Sequence, residues 1–180
     1  LTREALIGST ARTALRKAVR GAFNDTHAPA LGGHVVKSVI EKAGIDPALV
    51  DDCIFGAAAQ QGTQAYNLGR LCAIAGGLPE TTAGMAIERQ CSSGLMSIAT
   101  AAKSIMCNEY DVAVAGGVES ISLVQNKHKN TYRAVSKAVR ASDPDAYIPM
   151  IETAEIVSER YNISREAQDE YSLQSQMRTA

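Results

Sequence analysis

The sequence predicts an α/β layered fold, because apolar segments with the length of strands alternate regularly with segments that have the periodicity of helices. The chain has 180 residues, of which 46% are hydrophobic and 21% are charged, enough for one domain or one domain plus part of another. The net charge of −1 argues against a general nucleic-acid-binding protein. No run of eighteen apolar residues that could span a membrane occurs in the sequence.

Four strands and three helices are predicted in alternation. The strands lie at residues 4–9, 51–57, 81–88 and 112–118. The first of these is predicted to be short and buried, and the last is apolar on both alternations, as expected for a strand covered on both faces. Residues 11–30 are predicted to form a loop. Apolar residues at helical spacing begin at Val36, Leu68 and Leu95, and the first helix is expected to end at Gly44, which can adopt a left-handed C-cap.

The character of the sequence changes after residue 120. Basic residues occur without any acidic residue between positions 121 and 142, namely Lys127, Lys129, Arg133, Lys137 and Arg140. Such a run is usually a solvated surface, but Lys and Arg also bind phosphate groups, and both interpretations stay open. Two further helices are predicted, one with Met150 and Val157 on its apolar face and one that begins at an N-cap, Ser164, and continues to the last residue.

The four cysteines predict different roles. Their spacing lacks a CxxC motif, which indicates a reducing, intracellular setting. Cys53, Cys72 and Cys107 lie inside or at the end of apolar elements and are expected to be buried and inert. Cys91 lies at a strand-to-helix junction, where free backbone N–H groups and the helix dipole favour a thiolate. Small residues follow it and leave room for a substrate, and the same N–H groups could bind an oxyanion, so Cys91 is the predicted nucleophile.

The stretch RQCSSGLMSIATAAKSI, followed by DVAVAGGVESIS, resembles the thiolase family of acyl-CoA acyltransferases. Further similar blocks are START at 9–13, GGHVVKSVIEKAGIDPALVDDCIFGAAAQQG at 32–62 and ETAEIVSERYNISREAQDEYSLQSQ at 152–176. Ketoacyl synthases share the cysteine turn and the later Gly-Gly-x-Glu, but Arg89-Gln90 and the SREAQDEYS helix favour a thiolase. The resemblance implies an N-terminal core domain at 1–120 and the first part of an inserted, coenzyme A-covering loop domain at 121–180.

The resemblance also implies roles for individual residues. Cys91 corresponds to the nucleophile that accepts the acyl group as a thioester, and its N–H to one donor of the oxyanion hole. Met150 corresponds to a methionine of the acyl pocket. The turn at Gly116-Gly117 and Glu119 is taken as structural. The implied reaction is the reversible cleavage of 3-ketoacyl-CoA, or its formation by condensation, with coenzyme A or acyl-CoA as substrate. We expect a cytoplasmic homodimer or homotetramer. We expect no permanently bound cofactor, no metal, and no nucleic-acid or membrane partner.

The chain departs from the family pattern at several positions. Pro149 replaces a His that many members have before the methionine, and Glu88 replaces an Asn. His27, His34 and His128 do not match the activating histidine, and no cysteine matches the second catalytic cysteine. The resemblance therefore implies the N-terminal half of a thiolase, which lacks the last strand and helix of its core domain and needs the C-terminal half or a companion chain.

We accordingly expect the apolar faces at Val36, Ile40, Leu95 and Ala99 to lack part of their cover. Two alternatives from other classes remain. One is a ketoacyl synthase-like condensing enzyme that uses acyl carrier protein, and the other is a non-catalytic, thiolase-like half that binds a partner or a lipid.

Overall fold

The computed structural model describes residues 3–180 and has the α/β layered architecture that the sequence predicts. The chain divides into two compact units at the boundary between Asn130 and Thr131. The elements of the first unit are α1 (Ala28–Ala43), β1 (Asp52–Gly56), α2 (Leu68–Ala75), β2 (Ala83–Ile87), α3 (Ser93–Met106), β3 (Ala113–Gly117) and α4 (Ile121–Val124). The second unit contains α5 (Lys137–Ser142), α6 (Met150–Arg160) and α7 (Arg165–Thr179).

The three strands form a parallel sheet in the order β2-β1-β3. In this register Phe55 of the central strand lies opposite Ala86 on one side and Gly116 on the other. The chain leaves β1 towards β2 through α2, and then crosses back over β1 to β3 through α3. Because such crossovers are right-handed, two crossovers in opposite directions place their helices on opposite faces of the sheet. Helices therefore cover β1 on both faces, with α2 on one side and α3 on the other.

The core of the first unit lies between the sheet and the α1–α2 layer. Val36 and Ile40 of α1 pack there with Phe55, Leu68 and the buried thiols of Cys53 and Cys72. The expectation that Val36 and Ile40 would lack cover is therefore wrong, because α2 covers this face of α1. Gly44 ends α1 in the left-handed conformation, at φ 64°, as predicted. The N-terminal end of α1 lies at Ala28, inside the segment that the sequence predicted to be a loop.

The predicted strand at residues 4–9 is not formed. Leu6 and Ile7 are 84% and 78% exposed, and the segment has no ladder hydrogen bonds to a strand within residues 3–180. A cavity of about 1060 Å³ separates this segment from β3, with walls formed by α1 and α3. An apolar segment becomes a strand only when a neighbouring strand accepts and donates its backbone hydrogen bonds, and this part of the chain provides none. The described sheet therefore has three strands instead of four.

Helix α3 turns its small residues to the sheet, and Leu95 lacks cover as expected. Ser93, Ser97 and Ala101 are buried, whereas Leu95 is 70% exposed. The hydroxyl of Ser97 donates a hydrogen bond to the carbonyl of Gly116, 2.6 Å away, so the helix lies very close to β3 and only small side chains fit between them. The apolar residues of α3 lie along one side of the helix, as the periodicity predicts, but that side is exposed. Periodicity identifies an apolar face but not the layer that covers it.

One further expectation about the first unit is wrong. Cys107 is exposed, because it is the C-cap residue that follows the last turn of α3 and lies beyond the packed part of the helix.

The second unit contains the two predicted helices and one that was not predicted. Helix α7 begins as expected, because the hydroxyl oxygen of Ser164 accepts a hydrogen bond from the N–H of Ala167 at 3.2 Å. The additional helix, α5, carries Lys137 and Arg140 of the basic segment, and both are exposed. Within the described residues, none of the helices combines the length and the apolar character that crossing a bilayer requires.

Candidate active site

The candidate active site lies at the carboxyl ends of the three parallel strands. Backbone hydrogen bonds continue here just beyond the strands, from the N–H of Ala57 to the carbonyl of Ile87 at 3.1 Å and from the N–H of Val118 to the carbonyl of Gly56 at 3.1 Å. At this edge, the helices that follow the neighbouring strands β1 and β2 lie on opposite faces of the sheet. In open α/β sheets, that change of direction creates the crevice in which ligands bind.

Cys91 lies in a tight turn between β2 and α3. Gln90 adopts a left-handed backbone conformation, with φ 49°, which is uncommon for a residue with a side chain. Two side chains hold this turn: a carboxylate oxygen of Glu88 accepts a hydrogen bond from the N–H of Gln90 at 2.6 Å, and the hydroxyl of Ser93 donates to the carbonyl of Gln90 at 2.6 Å. The thiol of Cys91 is exposed, one residue before the N-cap of α3.

Free hydrogen-bond donors lie beside this thiol. The N–H groups of Ser92 and Ser93 are used within the turn. By contrast, the N–H groups of Gly94 and Leu95 have no hydrogen-bond partner in the part of the chain that the structure describes. Unpaired N–H groups at the start of a 14-residue helix attract negative charge, both directly and through the helix dipole. The site can therefore stabilise a thiolate or an oxyanion.

Glycines allow the first turn of α3 to rest directly on the strand ends. A Cβ atom on Gly56 would lie 2.2 Å from the carbonyl carbon of Ser93, and one on Gly117 would lie 3.0 Å from the Cα atom of Gly94. Any larger residue at position 56 would push the helix away from the sheet. The position of the Cys91 turn therefore depends on β1 and β3 as well as on β2, from which it emerges.

The comparison with protein families identifies the family of the chain. The model described as "Thiolase, N-terminal domain" matches residues 5–180. The chain belongs to the thiolase family. It is 39% identical to the 3-ketoacyl-CoA thiolase of Bacillus subtilis (strain 168) over 99% of this chain and 45% of that protein, and 37% identical to the peroxisomal 3-ketoacyl-CoA thiolase of Homo sapiens over 94% of this chain and 39% of that protein.

A solved structure gives the same family. The crystal structure of the Bacillus anthracis acetyl-CoA acetyltransferase matches with a TM-score of 0.79 and 34% sequence identity, over 96% of this chain and 45% of the other. The predicted family and fold are thus confirmed. The thiolase chain described here spans less than half the length of these relatives.

The thiolase chain also contains a polar bridge that the sequence did not reveal, between the buried Gln64 and the exposed Glu119. The side chain of Gln64 is fully buried, and its amide nitrogen donates to Glu119 Oε1 at 2.6 Å and to the carbonyl of Ala59 at 2.8 Å. Its amide oxygen accepts from the N–H of Ser120 at 2.5 Å. The other carboxylate oxygen of Glu119 accepts from the N–H of Ala58 at 2.7 Å. Glu119 appeared in the sequence only as part of a turn, and no motif marks Gln64.

The remaining candidate residues are distributed over the chain. Met150, the predicted residue of the acyl pocket, is the first residue of α6 in the second unit and is 73% exposed. Pro149 is the N-cap of that helix. Burial raises the pKa of the Cys72 thiol to about 12, and burial raises the pKa of Cys53 still further. The predicted burial of these two thiols is confirmed, and Cys91 shares its exposure only with Cys107.

Proposed function

We propose that this chain carries the nucleophile of an acyl-CoA acyltransferase, a thiolase, and that the nucleophile is Cys91. The observation that carries the proposal is the exposed thiol beside the unpaired N–H groups of Gly94 and Leu95 at the start of α3. A family membership alone would not distinguish an active chain from an inactive one. The exposed thiol and the free donors are the two features that acyl transfer to sulfur requires.

The proposed chemistry follows from these groups. The Cys91 thiolate attacks the thioester carbonyl carbon of an acyl-CoA, and the carbonyl π electrons move to oxygen. Backbone N–H groups stabilise the resulting oxyanion. When the carbonyl re-forms, the bond to the sulfur of coenzyme A breaks, coenzyme A leaves as a thiolate and takes up a proton, and the acyl group remains on Cys91. In condensation, a second acyl-CoA loses a proton from C2, its C2 carbanion attacks the carbonyl carbon of the acyl-enzyme, and the Cys91 thiolate leaves as the new carbon–carbon bond forms. Cleavage is the reverse: Cys91 attacks the 3-keto carbon of a 3-ketoacyl-CoA, the C2–C3 bond breaks, the released carbanion takes up a proton to give an acyl-CoA, and the acyl group on Cys91 passes to coenzyme A. These reactions place the enzyme in fatty acid metabolism.

We further propose that the C-terminal half of the thiolase, in the same polypeptide or in a companion chain, covers two surfaces of the first unit. One is the outer edge of β3, which no strand pairs among the described residues and which borders the cavity of about 1060 Å³. The other is the apolar side of α3, where Leu95, Ile98 and Met106 are exposed. Unpaired strand edges and contiguous apolar surfaces are normally covered by other polypeptide.

A homodimer or homotetramer is part of the same proposal. Strand β2 lies at the edge of the described sheet and offers unpaired backbone groups to a second copy. Light scattering of the complete enzyme tests this, and a stable monomer would contradict it. The cytoplasmic location stays a prediction, and subcellular fractionation tests it.

Substrate binding by the second unit remains proposed as well. Met150 contributes to the acyl pocket, and the basic residues between 127 and 140 either contact the phosphates of coenzyme A or form a solvated surface. Replacing Lys137 and Arg140 by Gln distinguishes the two interpretations, because loss of a phosphate contact raises the KM for acyl-CoA whereas loss of solvated charge leaves it unchanged.

The decisive experiment measures the acyl-enzyme itself. After incubation of the complete enzyme with acyl-CoA, peptide mass spectrometry should find one acyl group, on the peptide that contains Cys91. Cys91→Ser should abolish the adduct, because a serine hydroxyl is far less ionised than a thiol. Cys107→Ser, which replaces the other exposed cysteine, is the matched control and should retain it. Retained acyl transfer in Cys91→Ser would refute the proposal, and preferential loading from acyl carrier protein would indicate a ketoacyl synthase-like enzyme.

A further inference from the structure

We infer that Gln64 and Glu119 are positioning residues for Cys91, and that they act by replacing one rung of the β1–β3 ladder with a side-chain bridge. The inference rests on the proposed function of Cys91. Its starting point is the complete hydrogen bonding of Gln64, a polar side chain with no exposed surface whose donors and acceptor all have protein partners. Burying an amide without such partners is costly, so this network forms as a whole or is strongly destabilising.

The register of the sheet shows what the bridge replaces. Gly56 pairs with Gly117, and the last regular bond runs from the N–H of Val118 to the carbonyl of Gly56. In a parallel ladder the next two bonds would run from the N–H of Ala58 to the carbonyl of Val118, and from the N–H of Ser120 to the carbonyl of Ala58. Neither bond forms. The N–H of Ala58 donates to the carboxylate of Glu119 instead, and the N–H of Ser120 donates to the amide oxygen of Gln64.

The hydrogen bond between Gln64 and Glu119, at 2.6 Å, joins these two replacements into one chain of bonds. Two side chains span a longer distance than a direct contact between backbone groups does. The ends of β1 and β3 can therefore separate beyond Gly56 and Val118 while the N–H groups of Ala58 and Ser120 keep a partner. The bridge thus sets the width of the opening at the carboxyl edge of the sheet.

The turn that contains Cys91 packs against the backbone of β1 and β3 just before this opening. The first turn of α3 packs against β1 at the contact between Ser93 and Gly56, and against β3 at the contact between Gly94 and Gly117. A change in the separation of the two strand ends must therefore shift the first turn of α3 and the thiol that precedes it. Displacements of about 1 Å at a reacting group can reduce a rate roughly 100-fold.

The test is the single-turnover rate constant for acylation of Cys91 by acyl-CoA, measured in the complete enzyme. In Glu119→Gln, one end of the bridge becomes a donor and faces either the N–H of Ala58 or the amide nitrogen of Gln64, which are also donors. We expect the rate constant to fall roughly 10- to 100-fold. The final yield of acyl-enzyme and the half-saturating concentration of acyl-CoA should stay unchanged, because Cys91 and the substrate-binding groups remain. If Glu119→Gln does not fold, Glu119→Asp is the second variant. Its shorter side chain should slow acylation in the same way.

A matched control and a rescue separate positioning from general stability. Thr82→Val removes another buried hydrogen bond, from the Thr82 hydroxyl to the carbonyl of Val50 at 2.9 Å, before the amino end of β2. It should lower the melting temperature without changing the acylation rate constant. The double variant Gln64→Glu/Glu119→Gln exchanges the amide and the carboxylate and restores the three bonds that join Ala58, the two side chains and Ser120, although the bond to the carbonyl of Ala59 is lost. It should acylate at least about 3-fold faster than Glu119→Gln, since the lost precision of position is recovered.

Each outcome supports or overturns the inference. A wild-type acylation rate constant in folded Glu119→Gln, an equal loss in Thr82→Val, or no recovery in the double variant would overturn it. These results differ from a failure of the proposed function, in which the wild-type enzyme itself would form no adduct on Cys91.

Discussion

The two exposed cysteines lie at opposite ends of the same helix, and their alkylation rates should therefore differ. Cys91 precedes the N-cap of α3, and Cys107 is its C-cap. A helix dipole stabilises a negative charge at the N-terminus and destabilises one at the C-terminus, by about 0.3–1 kcal/mol at each end. The combined free-energy difference of about 0.6–2 kcal/mol favours negative charge at the N-terminal end of the helix.

The expected ratio of alkylation rates reflects only part of this free-energy difference. A stabilised thiolate is also a weaker nucleophile, with a Brønsted coefficient of about 0.4–0.5, so roughly half of the advantage on a logarithmic scale is lost. The dipole alone therefore predicts that Cys91 reacts about 2- to 6-fold faster than Cys107. Lys103, four residues before Cys107, places a cation near the slower thiol, so Lys103→Gln should increase the ratio further.

The assay is pulse labelling with iodoacetamide at neutral pH, followed by quantitative peptide mapping. Cys53 and Cys72 are the internal controls, because both are buried with raised pKa values and should react only after unfolding. For Cys72, a pKa of about 12 reduces the thiolate fraction at neutral pH roughly 1000-fold relative to an ordinary thiol. Labelling of Cys107 at a rate equal to or above that of Cys91 would refute the reasoning from the helix ends.

Three further predictions concern the fold. Gly69→Ala should lower the melting temperature, because its Cβ would lie 2.1 Å from the carbonyl oxygen of Met85 and 2.4 Å from that of Cys53. Such overpacking typically costs about 1–3 kcal/mol. Gly8→Ala is the control and should leave the melting temperature unchanged, because nothing lies within 4 Å of its Cβ position. Burial raises the pKa of Asp52, so its contribution to the free energy of unfolding is complete below the unfolded pKa and is lost as the pH rises through the folded pKa. Asp52→Asn should remove this pH-dependent loss. In urea titrations, the free energy of unfolding of Asp52→Asn should therefore exceed that of the wild type above about pH 4 and equal it at lower pH. Residues 1–180 expressed alone should show no coenzyme A-dependent thiolysis and should associate in light scattering, and a cooperative melt with full activity would contradict the half-molecule interpretation.

Local patterns in the sequence predicted most elements of the fold correctly. Helical periodicity located α1, α2, α3 and α6, because spacing along the chain is enough to define an apolar helix face. The C-cap at Gly44 and the N-cap at Ser164 followed from residue types whose conformations are local properties. The candidate nucleophile was also visible in the sequence, since a cysteine among small residues between a strand and a helix requires no knowledge of distant contacts.

The errors share one physical cause. The segment at residues 4–9 is apolar but does not form a strand, and Val36 and Ile40 were expected to lack cover but are buried. Hydrophobicity states that a side chain favours burial, but the partner that buries it is chosen by backbone approach distances and by the strands that are present. The close contacts of Ser97 and Gly94 with β3 exclude larger side chains from that interface.

The sequence by itself determined the alternation of strands and helices, the family, and the placement of Cys91 before a helix. Only the tertiary structure decided that Gln64 and Glu119 bridge the ends of β1 and β3, because these residues are 55 positions apart and their hydrogen bond depends on the loop that follows β1 returning to the end of β3. The tertiary structure likewise decided which thiols are exposed. Burial is a property of the packed layers, and residues of the same type at similar apolar positions, such as Cys72 and Cys107, end in opposite environments.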